Sequence, residues 1–252
     1  MRALLPEPAD DVDVHDFYAA DWLEGGGLRV NFVSSTDGAA QADGRSAGLQ
    51  TKGDNRIFAA LRDLADVVLA GAGTVTIEGY RAVRVSPKRA AIRRDYGLRE
   101  VLPTAVVSRS LRLDPDAELF TNATPEARTI VLTCQSASAD RRKALEAVAD
   151  VAVCGDERVE SALAKAALAE RGLTRVLSEG GPIAFGSLLE DGVADELCLS
   201  LTPILVGPGP TRIVAGAAGW DEPIGMQLTG LLEEDGALFL RYRIARTTGT
   251  RE

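Results

Sequence analysis

The sequence predicts an α/β fold, with a mainly parallel central sheet, helices on both faces and an antiparallel edge near the C-terminus. Three observations predict it. Short apolar runs alternate with helix-length segments from residue 28 to about 192. Two of the runs end in glycine-rich turns, Gly71-Ala72-Gly73-Thr74 and Gly180-Gly181-Pro182. After Asp195 the helical segments stop and alternating patterns take over, which marks strands added antiparallel to a buried parallel sheet.

Residues 1–27 are acidic, lack clear periodicity and end in Gly25-Gly26-Gly27. They read as an arm, extended or briefly helical, packed by Phe17, Tyr18, Trp22 and Leu23. Leu28 to Ser34 reads as the first central strand. The small, polar, glycine-bearing stretch from Ser35 to Gln50 is a long loop, of the kind that carries function in compact domains. Thr51-Lys52-Gly53-Asp54 opens a helix over 51–64, with an N-cap hydroxyl, an acid three residues on, and Ile57, Phe58, Leu61 and Leu64 along one side. Ala65 to Ala70 is a second strand, and Thr104 to Val107 a third. Between them lie a short helix after Gly73 and a basic segment carrying Arg81, Arg84, Lys88, Arg89, Arg93, Arg94 and Arg99. That segment reads as a solvated loop or charged short helix.

Thr129 to Thr133 continues as a strand, followed by a helix over 139–148, a strand over 151–154 and a helix over 157–171. Strand 174–178 then breaks at the paired glycines. Pro182 suits the first helical position through its fixed φ and missing N–H, and Gly192 suits the C-terminal end of a helix over 183–191. Strands are expected at 195–203, 212–214 and 238–244. No internal repeat appears, so residues 28–252 read as a single domain.

With 252 residues and 46% hydrophobic residues, the chain can bury a substantial core. No apolar run approaches the ~20 residues of a bilayer-spanning helix, and the N-terminus lacks a signal-peptide core, so a cytoplasmic protein is expected. A net charge of −9 disfavours nucleic acid and anionic membranes as partners. Cys134, Cys154 and Cys198 lie in or beside apolar runs and read as core residues in a reducing compartment. With His15 as the only histidine, no zinc site of ordinary ligand spacing and no Ser–His or Cys–His nucleophile is expected. The metal expectation is none.

The chemistry concentrates at the glycine turns. A strand that ends in glycines at a helix N-terminus offers free amides and the positive dipole end, a seat for a pyrophosphate over residues 180–187. The alternative is an ordinary tight βα connection. Neither turn has the G-x-G-x-x-G spacing, so a standard dinucleotide-binding unit is disfavoured. Asp37 and Glu78 are carboxylates near the turns that are fit to relay a proton; for Asp37-Gly38 a plain turn is the alternative. Arg62 and Arg84 are candidate phosphate forks, set against the ordinary surface arginine.

In order and spacing these segments resemble the pyrimidine reductase domain of riboflavin biosynthesis, of the dihydrofolate-reductase-like fold. The resemblance runs through Val30-Asn31-Phe32-Val33-Ser34-Ser35-Thr36-Asp37-Gly38, Arg62…Ala65-Asp66, Gly73-Thr74-Val75 and Gly79-Tyr80…Val83-Arg84. It continues through Glu179-Gly180-Gly181-Pro182…Gly186-Ser187-Leu188-Leu189 and Val193-Ala194-Asp195-Glu196-Leu197…Pro203-Ile204-Leu205-Val206-Gly207, covering residues ~28–245. It implies NADPH-dependent reduction of a 5-amino-6-(5-phosphoribosylamino)uracil-type pyrimidine to the ribitylamino product. By position it implies Thr74, Glu78, Ser108 (with Arg109 as helper) and the run Gly180, Gly181, Pro182, Ile183, Ala184, Phe185, Gly186 and Ser187 as cofactor contacts. It places Ser46, Arg62 and Arg84 on the substrate's ribose phosphate and Glu179 on its pyrimidine or ribityl hydroxyls.

Two departures stand out: Glu78 where the family often has Asp, and Gly48 where a tryptophan is common. The H-x-E and P-C-x-x-C motifs of the deaminase often fused to such reductases do not occur. The same fold and hydride donor acting on dihydrofolate or another pterin is an alternative, as is a non-catalytic nucleotide-binding protein. A sheet edge left at strands 195–203 and 238–244 predicts a homodimer.

Overall fold

The computed structural model describes residues 1–216 and 222–245; the expected domain end at 246–252 lies outside the described residues. In chain order the elements are β1 (Arg2–Leu5), α1 (Val14–Ala19), α2 (Trp22–Gly25), β2 (Gly27–Ser35), α3 (Lys52–Asp63), β3 (Val67–Gly71) and α4 (Ala72–Glu78). Next come α5 (Pro87–Asp95), β4 (Thr104–Val107), α6 (Glu118–Thr121), β5 (Ile130–Thr133), α7 (Ala139–Glu146) and β6 (Asp150–Val153). The chain continues with α8 (Ser161–Ala169), β7 (Arg175–Ser178), α9 (Pro182–Glu190), β8 (Glu196–Thr202), β9 (Met226–Glu234) and β10 (Ala237–Ile244).

All the strands join one sheet in the order β1-β9-β10-β8-β2-β7-β3-β4-β5-β6. From β8 to β6 neighbouring strands run parallel; β10, β9 and β1 are added antiparallel. The mainly parallel sheet with an antiparallel addition is the architecture the alternation predicts. Strands β3, β4 and β5 are almost wholly apolar because both faces are covered, whereas the central β2 interleaves the buried Arg29 and Asn31 with Leu28, Val30 and Phe32. On one face Val30, Phe32, Leu69 and Leu132 pack with Leu168 of α8 and Phe185 of α9. On the other, Val68 and Leu177 pack with Ile57 and Leu61 of α3, while Ala70, Val106 and Val131 pack under Val75, Phe120 and Leu145.

Three expectations are corrected. Residues 212–214 are not a strand: they follow a stretch carrying Pro203, Pro208 and Pro210, which have no ladder donors, and the strand that flanks β10 on the side away from β8 is β9. Strands β8 and β10 do not form an open edge, since β9 and β1 extend the sheet beyond them. The basic segment is not uniformly solvated. Arg93 of α5 is fully buried, and its guanidinium donates to the carbonyls of Arg62, Asp63, Ala65, Arg99 and Val101 at 2.7–3.1 Å. It thereby closes the C-terminal end of α3, where a cation also suits the helix dipole.

The chain leaves β2 over one face through α3 and leaves β7 over the other through α9, although β2 and β7 are neighbours. That divergence opens a crevice at the carboxyl ends of β2, β7 and β3, where ligands of open α/β sheets bind.

Candidate active site

The crevice has two lobes, of about 370 and 460 Å³, that share the wall Thr74, Ile77, Gly181 and Pro182. The glycine turn makes this closeness possible. Gly180 sits at φ +85, and a Cβ there would meet Phe32 Cζ at 2.8 Å; at Gly181 a Cβ would meet Thr74 Oγ1 at 2.5 Å. The Gly180–Gly181 peptide bond is cis, and the Gly180 carbonyl accepts the Gly71 N–H at 2.8 Å, tying the two glycine turns together. Gly181 is the N-cap of α9 and Pro182 its first residue, with no capping side chain. The amides of Ile183 and Ala184 therefore have no intrahelical acceptor and point out of the helix end.

The larger lobe runs from that helix end past Gly71–Thr74 to Val107–Ser110. Ser108 is buried, and its hydroxyl accepts the Leu111 N–H at 3.0 Å, shaping the turn after β4. Arg109 lines the lobe and is exposed, and its guanidinium makes no hydrogen bond or ion pair among the described residues. Within the 180–187 run, Ile183 is 67% exposed, while Phe185 is buried against Phe32 and contributes packing beneath the turn. Gly186 is buried too; Ser187 lines the lobe.

The smaller lobe is floored by α3, which sets Asp54, Phe58 and Arg62 along it at four-residue spacing, one turn apart. Arg62 grips Glu179 with two hydrogen bonds, Nε to Oε1 at 2.6 Å and Nη2 to Oε2 at 2.8 Å, over the ring of Phe58 at 4.3 Å. The Tyr80 hydroxyl donates to the same carboxylate at 2.6 Å. Burial opposes the Arg62 charge, but Glu179 outweighs it and holds the guanidinium pKa above its ordinary value. Burial and the Glu179 charge push the Tyr80 hydroxyl well up, so it stays a donor. Across the lobe the Ser46 N–H and hydroxyl both donate to Glu78 Oε1, at 3.1 and 3.2 Å.

The structure thus brings Ser46, Arg62, Thr74, Glu78 and Glu179 to one cleft. Two expected residues stay away. Asp37 is exposed and accepts from the Ser35 hydroxyl and from the Gly207 and Val206 amides, so it fastens the 203–209 loop; those bonds hold its carboxyl below the usual range. Arg84 is exposed outside both lobes.

Three groups escaped the sequence reading: Asn31, Asp54 and Tyr80 line the smaller lobe. Asp54 was legible only as a capping acid, and Thr51 Oγ1 does accept its N–H at 3.0 Å; its carboxylate instead faces the cavity, next to Ser200. Among the described residues no cluster of His, Cys, Asp or Glu fits a metal ion, and no helix is long and apolar enough to cross a membrane.

The model of the RibD C-terminal domain matches residues 27–234. The chain belongs to that family. It is an oxidoreductase of riboflavin biosynthesis, of the pyrimidine-reductase kind. A similar protein is the 2,5-diamino-6-ribosylamino-4(3H)-pyrimidinone 5′-phosphate reductase of Archaeoglobus fulgidus, 30% identical over 179 residues, covering 71% of this chain and 80% of the relative. The enzyme of the same name from Methanothermobacter thermautotrophicus is 26% identical over 193 residues, 77% of this chain and 85% of the relative. A pyrimidine reductase-like protein of Corynebacterium diphtheriae superposes with a TM-score of 0.84 at 26% identity, covering 93% of this chain and 100% of the other. The riboflavin biosynthesis reductase of Saccharomyces cerevisiae shares the fold, with a TM-score of 0.65 at 15% identity over 94% and 93% of the two chains.

Proposed function

We propose that this member of the family uses NADPH to reduce a ribosylamino-pyrimidine 5′-phosphate to its ribitylamino product. The observation that carries the reading is the shared wall: a lobe ending at unfilled helix amides meets a lobe lined by a carboxylate-gripping arginine, with only Thr74, Ile77, Gly181 and Pro182 between them.

The larger lobe fits the coenzyme. Side-chain-free Gly181 lets a diphosphate approach the Ile183 and Ala184 amides, and the uncommitted guanidinium of Arg109 suits a ribose phosphate beyond Ser108. Ile77, 58% exposed and shared by both lobes, supplies apolar cover on the side facing the smaller lobe, and Ile183 adds apolar surface within the larger one. Bound there, NADPH would supply the hydride for C1′ of the opened ribose.

The remaining work falls to the chain's own side chains. Arg62 has N–H groups beyond the two it spends on Glu179, and these are offered to the substrate phosphate. Glu179, fixed by Arg62 and Tyr80, is a rigid acceptor for pyrimidine or ribityl hydrogens. Glu78 is the carboxylate assigned to proton handling, with Ser46 orienting it at 3.2 Å; Asp37 has no part in this.

Residues 28 to about 245 form the reductase domain in this reading. The chain would work as a cytoplasmic homodimer, a setting supported by three buried free thiols and by exposed apolar side chains such as Leu205 and Met226. The deciding experiment is NADPH oxidation measured side by side with the phosphoribosylamino-pyrimidines and with dihydrofolate. Turnover of a pyrimidine is expected; turnover of dihydrofolate alone, or of neither, would refute the assignment.

A further inference from the structure

From the end of β8 the chain runs through residues 203–216 with no helix or strand, and it touches both sides of the crevice. Pro203, Pro208 and Pro210 have no N–H to give, and Gly207 and Gly209 sit at φ +90 and +112. Such a strap keeps its course only through what fastens it. At its start the Thr36 N–H donates to the Ile204 carbonyl at 3.0 Å, and the Asp37 carboxylate accepts the Val206 and Gly207 N–H groups at 3.2 and 2.7 Å. Midway the Ala40 N–H donates to the Thr211 carbonyl at 2.8 Å. Among the described residues, Asp37 supplies the one side chain hydrogen-bonded to the strap.

The far end of the strap lies on α9. Ile213 and Val214 pack on the core cluster that holds Phe185 and Leu188, and a Cβ at Gly216 would stand 3.1 Å from Ile183 Cγ2. The Ala215 N–H donates to the Pro182 carbonyl at 3.1 Å. That carbonyl and the Ile183 N–H belong to one planar peptide unit, so the bond fixes the direction of the amide and polarises it as a donor. The strap thus ends on an amide assigned above to the diphosphate.

We propose that Asp37 is a positioning residue for the coenzyme: by anchoring the strap it holds the Pro182–Ile183 peptide at the angle from which its N–H meets a diphosphate. This rests on the coenzyme reading of the larger lobe. Asp37 lines neither lobe and acts only through the strap. Its charge suits the task, since bonds from amides to a carboxylate are roughly twice as strong as neutral ones. The Ser35 hydroxyl, donating to the same carboxylate, keeps it aimed at the strap.

The test is titration calorimetry with NADPH on Asp37→Ala and Asp37→Asn, beside steady-state kinetics with the phosphoribosylamino-pyrimidine. Asp37→Ala should weaken NADPH binding about tenfold, the lower end for hydrogen bonds to a charged group because the site is exposed. Asp37→Asn keeps one acceptor oxygen and should fall between; it carries the comparison by itself should Asp37→Ala not fold. KM for the pyrimidine should stay within about twofold, a split that general loosening of the fold would not give. Amide hydrogen exchange should quicken over 203–216 and stay unchanged in β2 and β8. Unchanged NADPH affinity, equal losses for NADPH and pyrimidine, or a strap that stays protected would overturn the role of Asp37 and leave the reductase reading standing. No NADPH uptake by the unaltered protein would overturn both.

Discussion

Removing the Glu179 carboxylate while leaving Arg62 in place isolates what holds the centre of the cleft. The Glu179 side chain is 3% exposed and Arg62 19%, and the carboxylate accepts three hydrogen bonds of 2.6–2.8 Å from Arg62 and Tyr80. Breaking a buried pair costs about 3–5 kcal/mol because the surviving charge is left uncompensated. The partial exposure of Arg62 lets water reach its outer edge, which sets the expectation for Glu179→Leu at the lower end, about 3 kcal/mol. In urea that corresponds to a midpoint lower by roughly 1 M, for a denaturant slope near 3 kcal/mol per molar. Arg62→Met should cost a similar amount. The double variant, with both charges gone and apolar volume kept, should return to within about 1–2 kcal/mol of the unaltered protein. Equilibrium unfolding of the four proteins gives the coupling directly. If the single losses simply add in the double variant, or if Glu179→Leu stabilises, the pair is not the clamp described above. The double variant should fold and still fail to turn over substrate, which separates the structural from the binding role of Arg62.

Gly181→Val should abolish NADPH binding in titration calorimetry, because a Cβ there lies 2.5 Å from Thr74 Oγ1 and its branches would cover the Ile183 and Ala184 amides; unchanged affinity would place the coenzyme elsewhere. Gly180→Ala should cost about 2–4 kcal/mol in unfolding, from the positive φ and a Cβ 2.8 Å from Phe32, and a neutral result would mean the Phe32 ring yields freely. Burial opposes the charge of Glu196, but Arg29 and Arg241 prevail and hold its pKa below the ordinary 4.5. The unfolded chain therefore binds the proton first, so this pair stabilises above pH 4.5 and its contribution is lost as pH falls below that. Glu196→Gln should flatten the acid limb of the stability curve there; an unchanged limb would refute it.

Legibility followed the range of the interactions. The turn at Gly180-Gly181-Pro182 could be read because the constraint is local: two residues without Cβ, then one with φ already fixed. The cores of β3 and β5 could be read because strands covered on both faces are almost wholly apolar. Strand β1 could not be. Its four residues adjoin acidic sequence, and their partners Leu231, Leu232 and Glu233 lie at the far end of the chain. Arg93 was illegible for a related reason. A basic run looks solvated until five backbone carbonyls from two separate stretches, 62–65 and 99–101, converge on one member of it.

Asp54 and Asp37 show why the site was harder to read than the fold. Each stands where an acid has an ordinary backbone duty, in the first turn of a helix or beside a glycine in a loop. Only Asp37 performs that duty: its carboxylate is spent on the Ser35 hydroxyl and on the Val206 and Gly207 amides. For Asp54 the helix takes the backbone N–H and leaves the carboxylate in the cavity. The difference lies in what stands opposite. Asp37 has the Gly207 amide at 2.7 Å, whereas Asp54 has Ser200 and the smaller lobe that it helps to line. Spacing along the chain proposes which acids are available; an acid's unsatisfied lone pairs, known only once its surroundings are fixed, decide which of them is left for a ligand.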